Sequence, residues 1–221
     1  MSSSKTKSTF RQPEAGEPKK KAPRRPTKRR IANQALAHVQ KHATTEANLH
    51  DVLARRAKRA AAFHEGVDMA EVEVWIQEAV AGLVALGYIK DEAFSDARAA
   101  RLSRGGKGER VIRQHLKQKG VPEALAEESM RRVEEHAEAP AFGIGAEDAL
   151  SADAETCRCA AAARKRRIGP FRTSEPKDGD ERKESRREMA ALGRQGFSYG
   201  TIQAVLSMLK EDLEELASRL L

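Results

Sequence analysis

Apolar residues return every three to four positions along most of this chain, the spacing of one face of an α-helix. Ile31, Ala35, Leu36 and Val39 predict a short first helix. Thr44 and Thr45 stand before Glu46 as caps, and Leu49, Val52, Leu53 and Ala57 follow as a second apolar stripe. Asp68, with Glu71 three residues on, resembles a capping box. It opens a helix whose apolar face reads Val72, Trp75, Ile76, Ala79, Val80, Leu83 and Leu86, with Gly87 as its stop. Asp91 is expected to cap the next helix, with Phe94, Ala97 and Leu102 turned inward, until Gly105, Gly106 and Gly108 break it. Val111, Ile112, His115 and Leu116 form a further stripe ended by Gly120. Beyond Pro122 a helix buries Leu125, Ser129, Met130 and Val133.

Residues 139–150 read as a linker. An Ala- and Arg-rich helix is expected from about 151 to 167, closed by Gly169-Pro170, and a polar loop spans 173–181. A helix carrying Met189 and Leu192 ends at Gly196. Ser198 then caps one last helix bearing Ile202, Val205, Leu206, Leu209, Leu213, Leu216 and Leu220.

One phrase recurs three times: Leu, three residues, Gly, then an apolar or aromatic residue. It reads Leu83 to Gly87-Tyr88, Leu116 to Gly120-Val121, and Leu192 to Gly196-Phe197. A glycine in the left-handed region ends each helix, and the following side chain folds back onto it. Tyr88 and Phe197 are therefore expected to pack against the finished helix. Small helical units repeated in tandem stack into an array with an extended surface. The expected fold is all-α: an elongated array of three tandem three-helix repeats with a disordered basic N-terminal tail. Its divisions are a leader at 1–30, repeats at 31–87 and 88–138, the linker at 139–150, and a third repeat with a C-terminal helix at 151–221.

Composition supports this class. Of 221 residues, 33% are charged and only 4% aromatic, which disfavours a β-sandwich or barrel. No apolar run approaches the roughly 18 residues of a membrane span, and no secretory h-region follows Met1. With two Cys, a disulfide-stapled secreted fold is not expected, and the chain reads as cytoplasmic.

The net charge of +8 is uneven. Residues 1–30 hold eleven Lys/Arg and two Glu, together with Ser and Pro and almost no apolar side chains. Such a segment cannot offset its ordering entropy. Further on, residues 98–119 carry Arg98, Arg101, Arg104, Lys107, Arg110, Arg113, Lys117 and Lys119 against Glu109 alone. An acidic block follows at 123–155, then six basic groups at 158–172, among them Arg164, Lys165, Arg166 and Arg167. If the two helices of the 98–119 stretch stack, three- and four-residue spacings place most of its cations on one side. That arrangement suits an anionic partner surface.

Other chemistry is sparse. Cys157 and Cys159 have no further Cys to complete a thiolate zinc site and read as packing thiols. His38 and His42 share a helix face without a third ligand, so no metal is assigned. Gly105-Gly-Lys-Gly108 follows no strand and lacks phosphate-loop spacing. Trp75 reads as a core residue. No convergent acid, base or nucleophile set appears, so no catalytic residue and no cofactor is assigned.

Four phrases in order carry a resemblance to the bacterial regulatory protein RecX family, modulators of the RecA recombinase. They are Leu86-Gly-Tyr-Ile-Lys-Asp-Glu-Ala-Phe94, Gly108-Glu-Arg-Val-Ile112 with Leu116-Lys-Gln-Lys-Gly120-Val, Ala160 through Phe171, and Arg194-Gln-Gly196-Phe197-Ser198 with Ile202 and Val205-Leu206. The resemblance spans roughly 33–208. Lys90 stands where the family usually has Asp, and the first repeat lacks the Leu-x3-Gly stop and is lengthened through Arg55–Arg59 to Gly66. The resemblance implies three tandem three-helix repeats. It also implies a non-enzymatic regulator of recombination and the SOS response that binds the RecA filament on single-stranded DNA; separately, a monomer is expected. Strand exchange, ATPase and coprotease activities would be limited by that binding. The expected partner-binding residues are Arg98, Arg101, Arg104, Lys107, Arg110, Arg113, Lys117 and Arg164 to Arg167. The competing expectation is a helical-repeat protein acting directly on DNA through the basic leader and these clusters.

Overall fold

The computed structural model describes residues 22–138, 154–173 and 180–218. The expected linker and most of the basic leader lie outside them. Ten α-helices are present among the described residues, and three separate apolar cores divide them. The first core is built by α1 (Lys28–Val39), α2 (Glu46–Ala61) and α3 (Met69–Ala85). The second is built by α4 (Asp91–Arg104), α5 (Glu109–Gln118) and α6 (Glu123–Glu138). The third takes α7 (Ala154–Arg166), a 3-10 turn (Gly169–Phe171), α8 (Glu181–Arg194), α9 (Tyr199–Ser207) and α10 (Lys210–Ser218). In each unit the first helix packs on the third: α1 on α3, α4 on α6, α7 on α9. The architecture is the expected all-α array of helical repeats.

Local chemistry explains most boundaries. The Thr45 hydroxyl accepts the Asn48 N–H (3.1 Å), Asp68 accepts from Ala70 (2.8 Å), and Ser198 accepts from Thr201 (3.1 Å). At the helix ends, the N–H groups of Tyr88 and Val121 donate to the carbonyls of Leu83 and Leu116, at 3.0 and 3.1 Å. Gly87, Gly120 and Gly196 all have positive φ (73°, 71° and 99°), as the repeated phrase requires. The same closure occurs where the phrase is absent. Ile168 N–H donates to Ala163 carbonyl at 3.0 Å, with Arg167 taking the left-handed position at φ 56°.

Several expectations are corrected. The helical pattern begins at Lys28, within the stretch expected to be disordered, because Thr27 caps α1 by accepting the Arg30 N–H. Leu86 is 72% exposed and Ala97 is exposed, so neither belongs to an inner face. Asp91 does not cap its own helix; its carboxylate accepts the Glu46 N–H at 3.0 Å and so serves α2 in the neighbouring unit. The expected last helix is two. Met208 adopts extended backbone (ψ 158°), which ends α9 and leaves Leu209 exposed. Leu213 and Leu216 are then re-aimed into the third core.

The glycines of the repeated phrase also join the units. Thr45, the N-cap of α2, donates its hydroxyl to the Lys119 carbonyl, next to Gly120. Gly108, the N-cap of α5, donates its N–H to the Gln195 carbonyl at 2.9 Å, next to Gly196. In both joints the turn between a unit's second and third helices sits on the start of the second helix of the unit before it. A side chain on Gly120 would strike Ala47, and one on Gly196 would come within 2.8 Å of the Val111 nitrogen. Among the described residues no unit precedes the first. Its corresponding turn carries Gly66 (φ 67°), whose carbonyl accepts from Arg25 at 2.8 Å, while His64 donates to the Pro23 carbonyl at 2.8 Å. A strap of residues 23–27, with Pro26 buried, therefore covers the end of the array.

Candidate functional site

The cations of residues 98–119 do not form one continuous stripe. The Gly105–Gly108 turn separates α4 from α5, and cations on either side of it meet different surroundings. Arg98 and Arg101 line an open groove of about 650 Å³ between the first and second units. Lys107 and Arg110 turn instead towards the third unit. Lys107 Nζ donates to Gln195 Oε1 at 2.6 Å, and Arg110 donates to the Gly193 carbonyl at 3.1 Å. Arg113 pairs with Glu109 (2.7 Å) and lies 3.6 Å from Glu127. Arg104 and Lys117 are exposed. Arg164, Lys165, Arg166 and Arg167 are exposed around the carbonyl end of α7, where part of their charge complements the helix dipole. They do not line the groove.

The groove has walls from both units. The α1–α2 loop supplies Lys41, His42, Ala43 and Thr44; the turn after α3 supplies Gly87 and Tyr88. One face of α4, at three- and four-residue spacing, supplies the remainder, including Lys90, Phe94, Arg98 and Arg101. No carboxylate lines it. The acids of α4 are engaged elsewhere: Asp91 on α2, and Glu92 and Asp96 on Arg132 of α6. With these carboxylates drawn away, Lys41, Lys90, Arg98 and Arg101 set the groove's electrostatic character. Lys90, the charge that departs from the resembled phrase, is part of it.

Tyr88 is 57% exposed at the groove wall rather than folded back on α3; Ile89 fills that position and is buried. Phe197 does pack into the third core, as expected. Phe94 is half-buried against the second core, and Trp75 is half-buried against the first. The groove thus pairs cations with an accessible aromatic ring, a combination suited to an anionic, partly planar or apolar partner.

Two partly buried histidines, His38 and His115, lie near cations. Arg98 Nε donates to His115 Nε2 at 2.8 Å, which requires the neutral ring. Burial pushes the His115 pKa down, and the charges of Arg98 and Lys119 add to the effect. His38 is also lowered, first by burial and then by Arg56, His42 and Lys119. The His38 and His42 rings lie 5.2 Å apart and tilted. Among the described residues no cluster of three His, Cys, Asp or Glu side chains could hold a metal ion. Cys157 and Cys159 are buried and not disulfide-bonded, and burial, with Glu155 nearby, pushes Cys159 up to about 12, where it is inert. No described helix is long and apolar enough to cross a membrane.

Fold and groove together define a tandem helical-repeat protein with an open, carboxylate-free cationic groove at a joint between units. Residues 91–130, which include the α4 wall of the groove, match the family model described as RecX, second three-helix domain. The regulatory protein RecX of Myxococcus xanthus (strain DK1622) is 35% identical over 192 residues, covering 85% of this chain and 91% of that protein. The regulatory protein RecX of Agrobacterium fabrum (strain C58 / ATCC 33970) is 28% identical over 196 residues, covering 87% and 92%. The crystal structure of RecX from Lactobacillus salivarius shares the fold, with a TM-score of 0.52 at 19% identity over 85% of this chain and 97% of that one. The chain belongs to the RecX family of regulatory proteins.

Proposed function

We propose that this chain is a non-enzymatic, cytoplasmic regulator that binds the RecA filament on single-stranded DNA and slows its strand exchange, ATP hydrolysis and coprotease activity. Family membership supports the partner. The observation that carries the contact is the groove between the first two units, with Lys41, Lys90, Arg98 and Arg101 and no lining carboxylate. Its shape comes from two units locked by the Thr45–Lys119 and Asp91–Glu46 bonds, so the cations are presented by a rigid joint. Preorganised cations lose less freedom on docking than cations on a flexible tail. The aromatic wall adds an interaction that salt does not screen.

The mechanism is occupancy. An array lying against the filament must be displaced before the filament extends or takes a second duplex, and no bond in any substrate is made or broken by the chain. The test is ATP hydrolysis by RecA on single-stranded DNA as this protein is added, at rising salt. Inhibition persisting at salt that abolishes binding of the chain to free DNA supports a filament contact. Unchanged RecA rates with folded protein in excess contradict it. Inhibition that vanishes together with free-DNA binding favours direct action on DNA.

A further inference from the structure

The outer end of the first unit gathers a second set of cations, separate from those that line the groove. Arg24 lies on the strap, Arg29 and Arg30 on the first turn of α1, and Arg56 and Arg59 one turn apart on α2. Two adjoining hollows of about 500 and 280 Å³ bring them together, sharing Arg24 and Arg30. No Asp or Glu lines either hollow. Glu78 of α3 is engaged elsewhere, paired with Lys28 at 2.7 Å. The strap is fastened by buried Pro26, by the Pro23–His64 bond and by the Arg25–Gly66 bond, so Arg24 is held beside like charges. Convergence of unneutralised guanidinium groups costs self-repulsion that a bound anion removes.

The chemistry of the hollows also bears on which anion. A guanidinium fork matches phosphate oxygens in bidentate fashion. No aromatic ring lines these hollows, in contrast to Tyr88 in the groove, so nothing offers a stacking surface for unpaired bases. Residues 1–21 carry six Lys/Arg against two Glu, which disfavours them as occupants of a cationic site. Duplex DNA, with about one charge per 1.7 Å, is the polyanion of highest density that needs only backbone contacts. We propose that Arg24, Arg29, Arg30, Arg56 and Arg59 form a docking site for the phosphodiester backbone of duplex DNA, distinct from the groove. This site does not depend on the reading of the groove.

The experiment uses the full chain and fluorescence anisotropy with a labelled duplex of about twenty base pairs, titrated across salt concentrations. The variant combining Arg24→Gln, Arg30→Gln, Arg56→Gln and Arg59→Gln is compared with Arg194→Gln/Lys210→Gln, two exposed cations of the third unit. Each phosphate left without its arginine lowers the slope of log K against log salt by about 0.9, so the slope of the quadruple variant should be shallower by about 3 to 4. This control should keep the wild-type slope. Arg56→Gln/Arg59→Gln alone, on the exposed face of α2, should lower it by about 2 and covers the case in which the strap variant misfolds. An unchanged slope in both cluster variants overturns the proposal. So does displacement of the duplex by poly-glutamate of equal charge as readily as by unlabelled duplex, which would assign the site to acidic protein. Because RecA is absent from the assay, its outcome is independent of filament inhibition.

Discussion

Replacement of Gly108 by Ala isolates the joint between the second and third units. Gly108 has φ −72° and ψ 160°, a conformation open to any residue. Locally the change is close to neutral: reduced freedom of the unfolded chain contributes about 0.4–1 kcal/mol, offset by a few tenths lost at an N-cap. The structure changes the sign. A Cβ at this position would lie 2.5 Å from the Gly196 carbonyl carbon, 2.6 Å from its oxygen and 2.8 Å from the Phe197 nitrogen. All three are backbone atoms and cannot rotate aside. The joint must open, at an overpacking cost of roughly 1–3 kcal/mol. The Gly108–Gln195 bond goes with it, worth about 0.5–1.5 kcal/mol. A loss of about 2–4 kcal/mol is expected. Urea unfolding would be followed by helical circular dichroism and by the fluorescence of Trp75, the one tryptophan, which reports the first unit. In a stacked array the dichroism transition should fall to lower urea while the Trp75 transition moves less. Gly82→Ala, inside α3 with open space around it, is the reference and should stabilise by up to about 1 kcal/mol. A Gly108→Ala protein as stable as wild type would refute the joint.

Thr45→Val removes both the α2 cap and the hydroxyl that reaches Lys119, and should cost about 1–3 kcal/mol in chemical denaturation; a loss below a few tenths would show that neither bond matters. His115 and His38 have lowered folded pKa values, so the unfolded chain takes up their protons first as pH falls. Their contribution is full above the ordinary value of 6.5 and is lost as pH drops through the lowered folded values. The melting temperature should therefore decline between about pH 7 and 5, and His115→Gln should flatten that decline; an identical profile in the variant would remove His115 as a contributor.

Much of the fold is legible in the sequence because its signals are local. Thr45, Asp68 and Ser198 are capping residues whose function needs only their own helix, and Leu83, Leu116 and Leu192 with their glycines mark helix ends by backbone conformation alone. The hidden parts depend on tertiary contact. Arg167 ends α7 in the left-handed region, a position whose glycine signal stands two residues later at Gly169. The break at Met208 is imposed by packing of Leu213 and Leu216, since the apolar spacing runs on without interruption. The candidate site divides in the same way. Arg98 and Arg101 stand out in the charge pattern. Their groove partners Lys41, His42 and Tyr88 come from the preceding unit, and nothing in linear spacing places them there. The basic positions of the 98–119 stretch look alike in sequence, yet Lys107 and Arg110 bond across a joint. The arginines at the outer end of the first unit look in sequence like leader and lengthened repeat, because the strap that unites them is a tertiary feature.

Whether the groove between the first two units is the contact with the RecA filament can be decided by reversing its charge. Lys41→Glu, Lys90→Glu and Arg101→Glu together do so at exposed positions, where each substitution should change stability by less than about 0.5 kcal/mol. The decisive measurement is RecA ATP hydrolysis on single-stranded DNA with wild type and this variant side by side, at salt that removes binding of either to free DNA. Wild type should slow hydrolysis, and the folded variant should do so at least tenfold less effectively. Equal inhibition by the two proteins would contradict a groove contact.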